Sequence, residues 1–409
     1  MDVFKNNIQI NSKKVYQVQA LYNTSSTLEF IIQADKDFIL ASDVYLNFSI
    51  VLEANYIPDN QVDKLFDSVE VIIGSEKVSS RSNSNEYFLS SFFRTKANHP
   101  SDHFNNMLRP SGWWSNVNFE TAEILAEKSA SNTSKSVIVD SRTSEVQKNN
   151  SNVVTGRVYH FSTQIHSPLF QQMKPLPSNV PIQINFKRAR PEMTVIKCTD
   201  DSTKYYATHN IDIINPYLEV TAIRSDKWSK KLDFNTKGTI SYDIEESVIR
   251  TQIMETGINH VNFSATSGGK LPTMMFAAIT KPDAFNGDET KSATRYQRHG
   301  LSKFEIFVDN TPVPGSLVDA TNTIDVYSKF YRQCKMMPNF YAGRIMSTSD
   351  FMDTNMILAY DLSEIGQETG WLSVKLDFKE NLSANLLLIV CMIYDKTITF
   401  DKDRNVQMT

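Results

Sequence analysis

Short apolar runs recur along the chain, and they predict β-strands rather than helices. Residues 44–52 alternate in part between apolar and polar side chains, which is typical of a strand with one buried face. Residues 386–394 form the longest apolar run, which is too short to cross a bilayer as a helix. Further strands are predicted at residues 27–32, 158–165, 182–186, 217–223, 239–242, 274–279 and 372–378.

Helical periodicity is scarce. The best helix candidate is the short segment 120–128, and the 24 Phe and 16 Tyr residues add to the preference for strands. Many short strands joined by long loops predict an all-β sandwich or barrel architecture.

Two polar segments interrupt the strand pattern. Residues 129–156 are rich in Ser, Asn, Thr and Lys, which predicts an exposed or partly disordered loop insertion. Alternatively, Val137-Ile138-Val139 could form a small hairpin arm within it. Residues 199–212 are also polar, and we expect the connection between two domains there.

One hairpin pattern occurs twice. Residues 69–78 place Gly74-Ser75 between two short strands, where a leading glycine suits a type II′ turn. Residues 304–313 place Asp309-Asn310 in the same position, and both residue types tolerate the positive φ of a type I′ turn. Any two hairpins can look alike by chance; a true repeat predicts two similar β-domains of about 200 residues each.

Length and composition fit this interpretation. The chain has 409 residues, which suggests two or three domains and suffices for two hydrophobic cores. Hydrophobic residues at 41% and charged residues at 22% are ordinary for a soluble globular protein. The first residues lack the apolar run of a signal peptide, and three distant cysteines imply no disulfide framework. A protein made inside the cell and kept in a reducing compartment is therefore expected.

The charge balance argues against a nucleic-acid coat. The formal net charge is −4, so no broadly basic face is expected and no specific nucleic-acid binding is predicted. Two small basic clusters, residues 187–190 and 227–231, could face a genome or act as a nuclear import signal. In an acidic chain we favour the alternative, that they are solvated strand ends or partners for acidic loops.

A search for reactive groups finds no catalytic signature. His99 and His103 have metal-ligand spacing, but Pro100 breaks the helix that such spacing needs. Asp395, Asp401 and Asp403 could hold a cation, although such residues more often cap turns. Neither a phosphate-binding glycine loop nor a Gly-x-Ser-x-Gly motif is present. We therefore predict a protein that is not an enzyme, with no catalytic residues, no metal and no cofactor.

The pair Trp113-Trp114 is the candidate interface feature. Tryptophan is a frequent anchor in protein–protein contacts, so the pair could bind a partner. Equally, one of the rings could fill the core beneath a long loop.

Several segments, taken in order, resemble the capsid proteins of Maverick/Polinton elements and adintovirus-like DNA viruses. Around the first hairpin, the similar segments are residues 65–74, 82–87 and 89–93, the last being a short helix in that family. Further along, the similar segments are residues 166–171, 176–177, 180–188, 283–287, 313–314, 360–363 and 401–406. The resemblance covers residues 28–406, and it departs from the family at Pro282 and in the polar insertion.

The resemblance implies an all-β fold of two tandem eight-stranded antiparallel jelly rolls, with long loops and few short helices. Residues 1–205 would form the first domain, including the loop insertion 129–156, and residues 206–409 the second. The residues of the best-matching family motifs are Asp283, Phe285, Asn286, Gly287, Asp401, Asp403, Arg404 and Asn405. The residues expected to point into the two cores are Val71, Ile73, Phe304, Ile306, Leu386, Leu388 and Val390.

The same resemblance implies a major capsid protein. Its trimers would imitate hexagons and tile an icosahedral shell, contacting neighbouring capsomer trimers, penton or vertex proteins and minor capsid proteins. The expected location is the virion, after assembly in the nucleus or cytoplasm of a host cell; contact with an internal membrane stays open. The alternatives are a minor or vertex capsid protein, a domesticated relative forming virus-like particles, and, in a different class, a carbohydrate-binding β-sandwich.

Overall fold

The computed structural model describes residues 12–33, 37–53, 56–58, 62–78, 85–98, 109–111, 145–148, 154–172, 174–177, 180–197, 211–224, 239–288, 291–334, 348, 351–352, 355–401 and 405–408. The predicted helix 120–128, the hairpin arm at Val137, and most of the polar insertion 129–156 lie outside these residues. The predicted insertion is too long, because residues 145–148 and 154–156 within it are paired strands of the first sandwich.

Strands dominate the described chain. Up to residue 224 they are β1 (Ser12–Gln19), β2 (Tyr22–Asn23), β3 (Thr27–Ile32), β4 (Phe38–Glu53), β5 (Tyr56–Pro58), β6 (Phe66–Ile73), β7 (Glu76–Lys77), β8 (Glu145–Lys148), β9 (Val154–Gln164), β10 (Ile182–Arg188), β11 (Val195–Lys197) and β12 (Asp212–Arg224). From residue 239 they are β13 (Thr239–Met254), β14 (His260–Ser264), β15 (Met274–Thr280), β16 (Leu301–Val308), β17 (Thr311–Pro312), β18 (Val318–Asp319), β19 (Ile357–Asp361), β20 (Leu372–Phe378), β21 (Leu386–Asp401) and β22 (Val406–Met408).

Helices are few among the described residues. The α-helices are α1 (Glu86–Asn98), α2 (Pro282–Asn286) and α3 (Thr323–Cys334). Short 3-10 turns occur at Val62–Leu65, Arg109–Ser111, Pro168–Gln171, Pro191–Met193 and Ser363–Ile365. No helix in the described part of the chain is long and apolar enough to span a membrane.

The strands form two sandwiches, each made of two antiparallel sheets. In the first sandwich the sheet orders are β1-β12-β4-β9-β8 and β2-β3-β10-β6-β7. In the second they are β13-β21-β15-β19, with β22 on β21, and β14-β20-β16-β17, with β18 on β16. Strands β5 and β11 form a separate antiparallel pair.

The second sandwich repeats the topology of the first. In chain order, β13, β14, β15, β16, β17, β19, β20 and β21 occupy the sheet positions of β1, β3, β4, β6, β7, β9, β10 and β12. A duplicated eight-stranded unit accounts for this agreement, since each strand has the same neighbours in both sheets. The predicted pair of eight-stranded antiparallel sandwiches is confirmed.

The repeated hairpin is confirmed at the level of single hydrogen bonds. The Val78 amide donates to the Val71 carbonyl at 2.8 Å, and the Val313 amide donates to the Ile306 carbonyl at 2.8 Å. Gly74 has φ +59°, as the first central residue of a type II′ turn requires. Asp309 and Asn310 have φ +49° and +64°, the pair of positive values that defines type I′.

The predicted core positions are confirmed. No more than 4% of the residue surface is exposed at any of these positions, which are Val71, Ile73, Phe304, Ile306, Leu386, Leu388 and Val390. The apolar run at residues 386–394 does not alternate with polar residues, because the side chains on both faces of β21 are buried over its first eight residues. One face lines the sandwich, and the other lies beneath α1 near Cys391.

The expected domain boundary needs a correction. Strand β12 follows the predicted boundary at residues 205 and 206, but it pairs with β4 and β1 in the first sandwich. The polar segment 199–212 therefore lies between β11, which pairs with β5, and β12 of the first sandwich, and the next strand of the second sandwich is β13, after Arg224. Polar composition identifies a loop, but it carries no information about which sheets the flanking strands join.

Leu388→Asp is expected to abolish folding of the soluble protein. Leu388 has no exposed surface, so the substitution buries an unpaired carboxylate and destabilises the chain by several kcal/mol. Soluble expression and a urea unfolding curve measure this effect. The control is Ile258→Asp, at a side chain that is 37% exposed; recovery of soluble, folded Leu388→Asp protein would contradict the core assignment.

Candidate functional site

Helix α1 belongs to the first half of the chain, but it packs on the outer face of the β13-β21-β15-β19 sheet of the second sandwich. Its apolar residues recur on one helical face, at Phe88, Leu89, Phe92, Phe93 and Ala97. All five are buried among the residues of the second core. The second sandwich therefore depends on the first half to cover the outer face of one of its sheets.

Aromatic rings fix the position of α1 on the second sandwich. The Phe93 ring stacks on Phe276 of β15, with centroids 5.8 Å apart and planes 7° from parallel. Phe92 meets Tyr296 edge to face at 5.4 Å. Such pairs contribute about 0.5–1.5 kcal/mol each beyond the burial of their surface, so the contact is specific as well as apolar.

The second half of the chain in turn contributes residues to the core of the first sandwich. Strands β13 and β21 continue beyond their own sandwich as a two-stranded ribbon, which β22 extends. The ribbon residues Tyr242, Ile244, Ile398, Phe400 and Val406 are buried in the core of the first sandwich. Each sandwich is thus completed by residues from the other half, and we call this reciprocal contact the joint.

Tyr242 is the deepest polar group of the ribbon. Its ring meets Phe400 edge to face at 5.4 Å, and its hydroxyl donates to the carbonyl oxygen of Pro175 at 2.9 Å. Burial raises the pKa of the Tyr242 hydroxyl well above its ordinary value. The side chain is therefore a neutral hydrogen-bond donor that fixes the ribbon on the first sandwich.

Arg94 of α1 is the polar centre of the joint. One guanidinium nitrogen donates to the side chains of Gln171 and Glu245, each at 2.9 Å. The other donates to the Glu245 carbonyl and to Ser247, both at 3.1 Å. Because Gln171 belongs to the first half and Glu245 to the second, a single buried cation links the two.

A second set of polar contacts lies beside the first. The Lys64 ammonium group, only 1% exposed, donates to the Thr294 hydroxyl at 3.0 Å across the joint. Asp63 is fully buried; it accepts from the Ser91 hydroxyl at 2.7 Å and lies 3.5 Å from His166 Nε2. Buried charges persist only where they have partners, so these contacts specify the relative placement of the elements that carry them.

The segment 283–287, which carries one of the sequence resemblances, lies in the joint. Gly287 has φ +97°, and a Cβ built on it would lie 3.0 Å from Met193 Cγ in the first half. The carbonyl oxygen of Phe285 accepts from the Asn85 side chain at 3.4 Å. Asn286 ends α2, directly before Gly287. The motif positions the two halves against each other.

Asp283 stabilises the start of α2. It accepts from the Ala284 amide at 2.8 Å and forms an ion pair with Lys291. Burial raises the pKa of the Asp283 carboxyl, but the hydrogen bonds from Lys291 and Ala284 outweigh it, so the pKa lies below its ordinary value. Asp283 is therefore an ionised structural residue.

The motif at residues 401–406 is a turn in the ribbon. Asp401 accepts from the backbone amide of Asn405 and from its side chain, both at 2.8 Å, and β22 then returns to pair with β21. Among the alternatives for Asp401, turn capping is confirmed. Asp403 and Arg404 lie outside the described residues.

The remaining candidates divide into described and undescribed residues. Trp113, Trp114, His99 and His103 lie outside the described residues, so the interface prediction for the tryptophan pair stays a prediction. In the basic cluster, Lys187 pairs with Asp67 at 2.8 Å, and Arg188 donates to the Ile211 carbonyl at 2.8 Å. Lys187 thus pairs with an acidic residue, but that residue lies in strand β6 and not in a loop. Residues 227–231, the second basic cluster, lie outside the described residues.

The described residues contain little that resembles reactive chemistry. In this part of the chain no three His, Cys, Asp or Glu side chains are grouped so as to hold a metal ion. Burial raises the pKa of the Cys391 thiol to about 12, which keeps it protonated and unreactive at neutral pH. A cavity of about 50 Å³ beside Arg94, His166 and Glu245 has room for water rather than for a substrate.

The sequence did not reveal the joint. The spacing of Phe88, Leu89, Phe92 and Phe93 indicates an amphipathic helix, which we did not identify from periodicity. Nothing in that spacing says which sandwich the helix enters. A second signal was available at Ile398 and Phe400. These apolar residues alternate with polar ones, which predicts that the strand continues beyond the apolar run.

The duplicated sandwiches and their joint define the structural class as a double jelly roll. The sequence matches no model of a protein family and no curated protein. In contrast, the fold is similar to several solved viral structures.

Three solved structures illustrate the likeness. A chain in the cryo-EM structure of the Sputnik virophage is 12% identical, with a TM-score of 0.67, covering 98% of this chain and 88% of that one. The crystal structure of the mavirus major capsid protein is 11% identical, with a TM-score of 0.60 and coverage of 100% and 93%. The quasi-atomic capsid of the virus PBCV-1 contains a chain 10% identical, with a TM-score of 0.59 and coverage of 97% of each. The likeness spans both sandwiches and confirms the predicted double jelly roll.

Gly287→Ala is expected to destabilise the joint more than a matched substitution elsewhere. Gly287 and Gly257 share a positive φ, near +90°, but a Cβ at Gly257 meets nothing within 4 Å. Both substitutions strain the backbone by roughly 1–3 kcal/mol, and only Gly287→Ala adds the contact with Met193. Urea unfolding of the two variants gives the difference; equal losses of stability would show that the close approach is unimportant.

His299→Asn is expected to reduce the loss of stability in mild acid. Burial, assisted by Lys281 and Arg295, lowers the pKa of His299 to about 4. The unfolded chain takes up a proton near pH 6.5, whereas the folded chain does so only near pH 4, so stability falls as the pH falls between these values.

Asparagine suits this position because it tolerates the φ of +48° found at His299. Urea unfolding at pH 7.5 and pH 5 measures the effect, and we expect wild type to lose roughly 1–2 kcal/mol more than the variant. The same loss in both proteins would contradict the assignment.

Proposed function

We propose that this protein is a structural major capsid protein with no enzymatic activity. Three copies would assemble into a hexon-like trimer, and many trimers would tile an icosahedral shell. Neighbouring trimers, penton or vertex proteins and minor capsid proteins would be its partners, and the virion its location.

The observation that carries this proposal is the joint. It ties two sandwiches of the same topology into one block through buried apolar and charged contacts. Three such blocks present six similar sandwiches around a threefold axis, an arrangement that packs in a plane through repeated contacts. We propose residues 12–224 and 239–408 as the two units, divided by strand pairing.

The likeness to viral capsid structures supports the proposal. The mavirus protein is a major capsid protein, and the PBCV-1 chain belongs to a virus capsid. The sequence resemblance at residues 283–287 and 401–406 supports a narrower origin, among Maverick/Polinton elements and adintovirus-like viruses. The elements that carry these segments stabilise the joint, which a building block needs and an active site does not.

The self-association of the purified chain tests the proposal. Sedimentation velocity over a concentration series is expected to give a species of about three times the 46.6 kDa chain mass, with six-lobed views by negative-stain microscopy. A chain that stays monomeric at tens of micromolar would overturn it. Glycan binding by such a monomer would favour the carbohydrate-binding alternative.

A further inference from the structure

A polar cavity lies at the end of strand β15, beside α2. Its volume is about 130 Å³, and one water molecule needs roughly 10–15 Å³, so a small polyatomic ion fits with some water. Of its lining residues, Lys281 is exposed, whereas Thr280 and Ser292 are only 2% and 3% exposed. The cavity thus leads from the surface to buried hydroxyl groups. The other lining residues are Ala284, Lys291, Arg295, Gln297 and His299.

The described residues that line the cavity carry positive charge and no negative charge. The cations are Lys281, Lys291 and Arg295. Lys291 forms ion pairs with Asp283 and Asp288, two carboxylates outside the lining, so its charge is already neutralised. Lys281 has no ion pair within the described part of the chain. The positive potential in the cavity therefore comes mainly from Lys281 and Arg295.

The imidazole of His299 shows that these two cations act on the same small space. Burial, and then repulsion from Lys281 and Arg295, lowers the pKa of His299 to about 4. The ring is therefore neutral at pH 7 and adds a hydrogen-bonding group without adding charge. Cations that converge on a partly buried space repel one another, and an anion between them removes that repulsion.

The cavity wall is also part of the joint. The Thr294 hydroxyl accepts from the buried Lys64 ammonium group of the first half at 3.0 Å, and its oxygen lies 3.1 Å from the Ser292 hydroxyl. The Thr280 hydroxyl donates to the Arg295 carbonyl at 3.2 Å, which holds this wall against the end of β15. A ligand that fixes the wall would therefore also stabilise the contact between the halves.

We infer that this cavity binds a phosphate-type oxyanion between Lys281 and Arg295. Ammonium and guanidinium groups both bind phosphate in proteins, and a guanidinium can donate two parallel hydrogen bonds to its oxygens. The Ser292 hydroxyl and the Gln297 amide line the same space and suit further oxygens of a tetrahedral ion. The inference goes beyond the proposed function and does not rest on it, because residues of a single chain line the cavity.

Isothermal titration calorimetry of the full-length chain with inorganic phosphate tests the inference. The titrations are run at pH 7.5 in a chloride buffer of constant ionic strength. Wild type is expected to bind phosphate saturably. Lys281→Gln is expected to bind it about tenfold more weakly, because a charge-assisted hydrogen bond is lost. The matched control is Lys14→Gln, at an exposed lysine of β1 outside the cavity, which is expected to bind as wild type does.

The outcomes are distinct. Wild type without saturable binding would overturn the inference, and so would equal affinities for wild type, Lys281→Gln and Lys14→Gln. A second series replaces inorganic phosphate with a nucleoside monophosphate. Binding of both ligands would show that the cavity accepts a phosphate group on a larger molecule, whereas binding of inorganic phosphate alone would identify the free ion as the ligand.

Urea unfolding in phosphate and in chloride, at equal ionic strength, gives a second readout. A ligand that binds only the folded chain stabilises it, so phosphate is expected to raise the urea midpoint of wild type and Lys14→Gln more than that of Lys281→Gln. The general stabilising effect of phosphate as a salt acts on all three proteins alike. A gain of the same size in all three would count against the cavity as the binding site.

Discussion

The exchange of apolar side chains between the two sandwiches is the constraint on which the rest of the structure depends. Phe93 of the first half stacks on Phe276, on the outer face of a sheet of the second sandwich, and Phe400 of the second half is buried in the core of the first. Separating the halves would expose both sets of side chains to water at about 25 cal/mol for every Å² of apolar surface. The two sandwiches therefore behave as a single stability unit, although each has its own pair of sheets.

Polar contacts make this exchange specific. An apolar interface alone tolerates small shifts, whereas Arg94 must reach Gln171 and Glu245 together, and Lys64 must reach Thr294. A displacement of the halves would leave buried charges without partners, which is far less favourable than a loss of packing. The orientation of one sandwich relative to the other is thus fixed by charge, and their cohesion by apolar burial.

Local features were predictable from the sequence, and features that cross between the halves were not. Thr27–Ile32 and Leu372–Phe378 are strands with the predicted bounds, because alternation and flanking turn residues act over a few positions. Strand β1 was missed because its exposed edge position leaves it polar. Helix α3 was missed although Val326, Tyr327, Phe330 and Tyr331 recur at helical spacing. The role of Gly287 depends on Met193, a contact between distant segments that one sequence cannot reveal.

The placement of the ribbon has a consequence for biosynthesis. The first sandwich needs Ile398, Phe400 and Val406 to close its interior, so during translation it waits, with apolar surface uncovered, until β21 and β22 have left the ribosome. Such distant contacts slow folding and lengthen the time in which chaperones can bind. The same dependence acts as a length check, because a prematurely terminated chain lacks the residues that seal its first half and is left open to proteolysis.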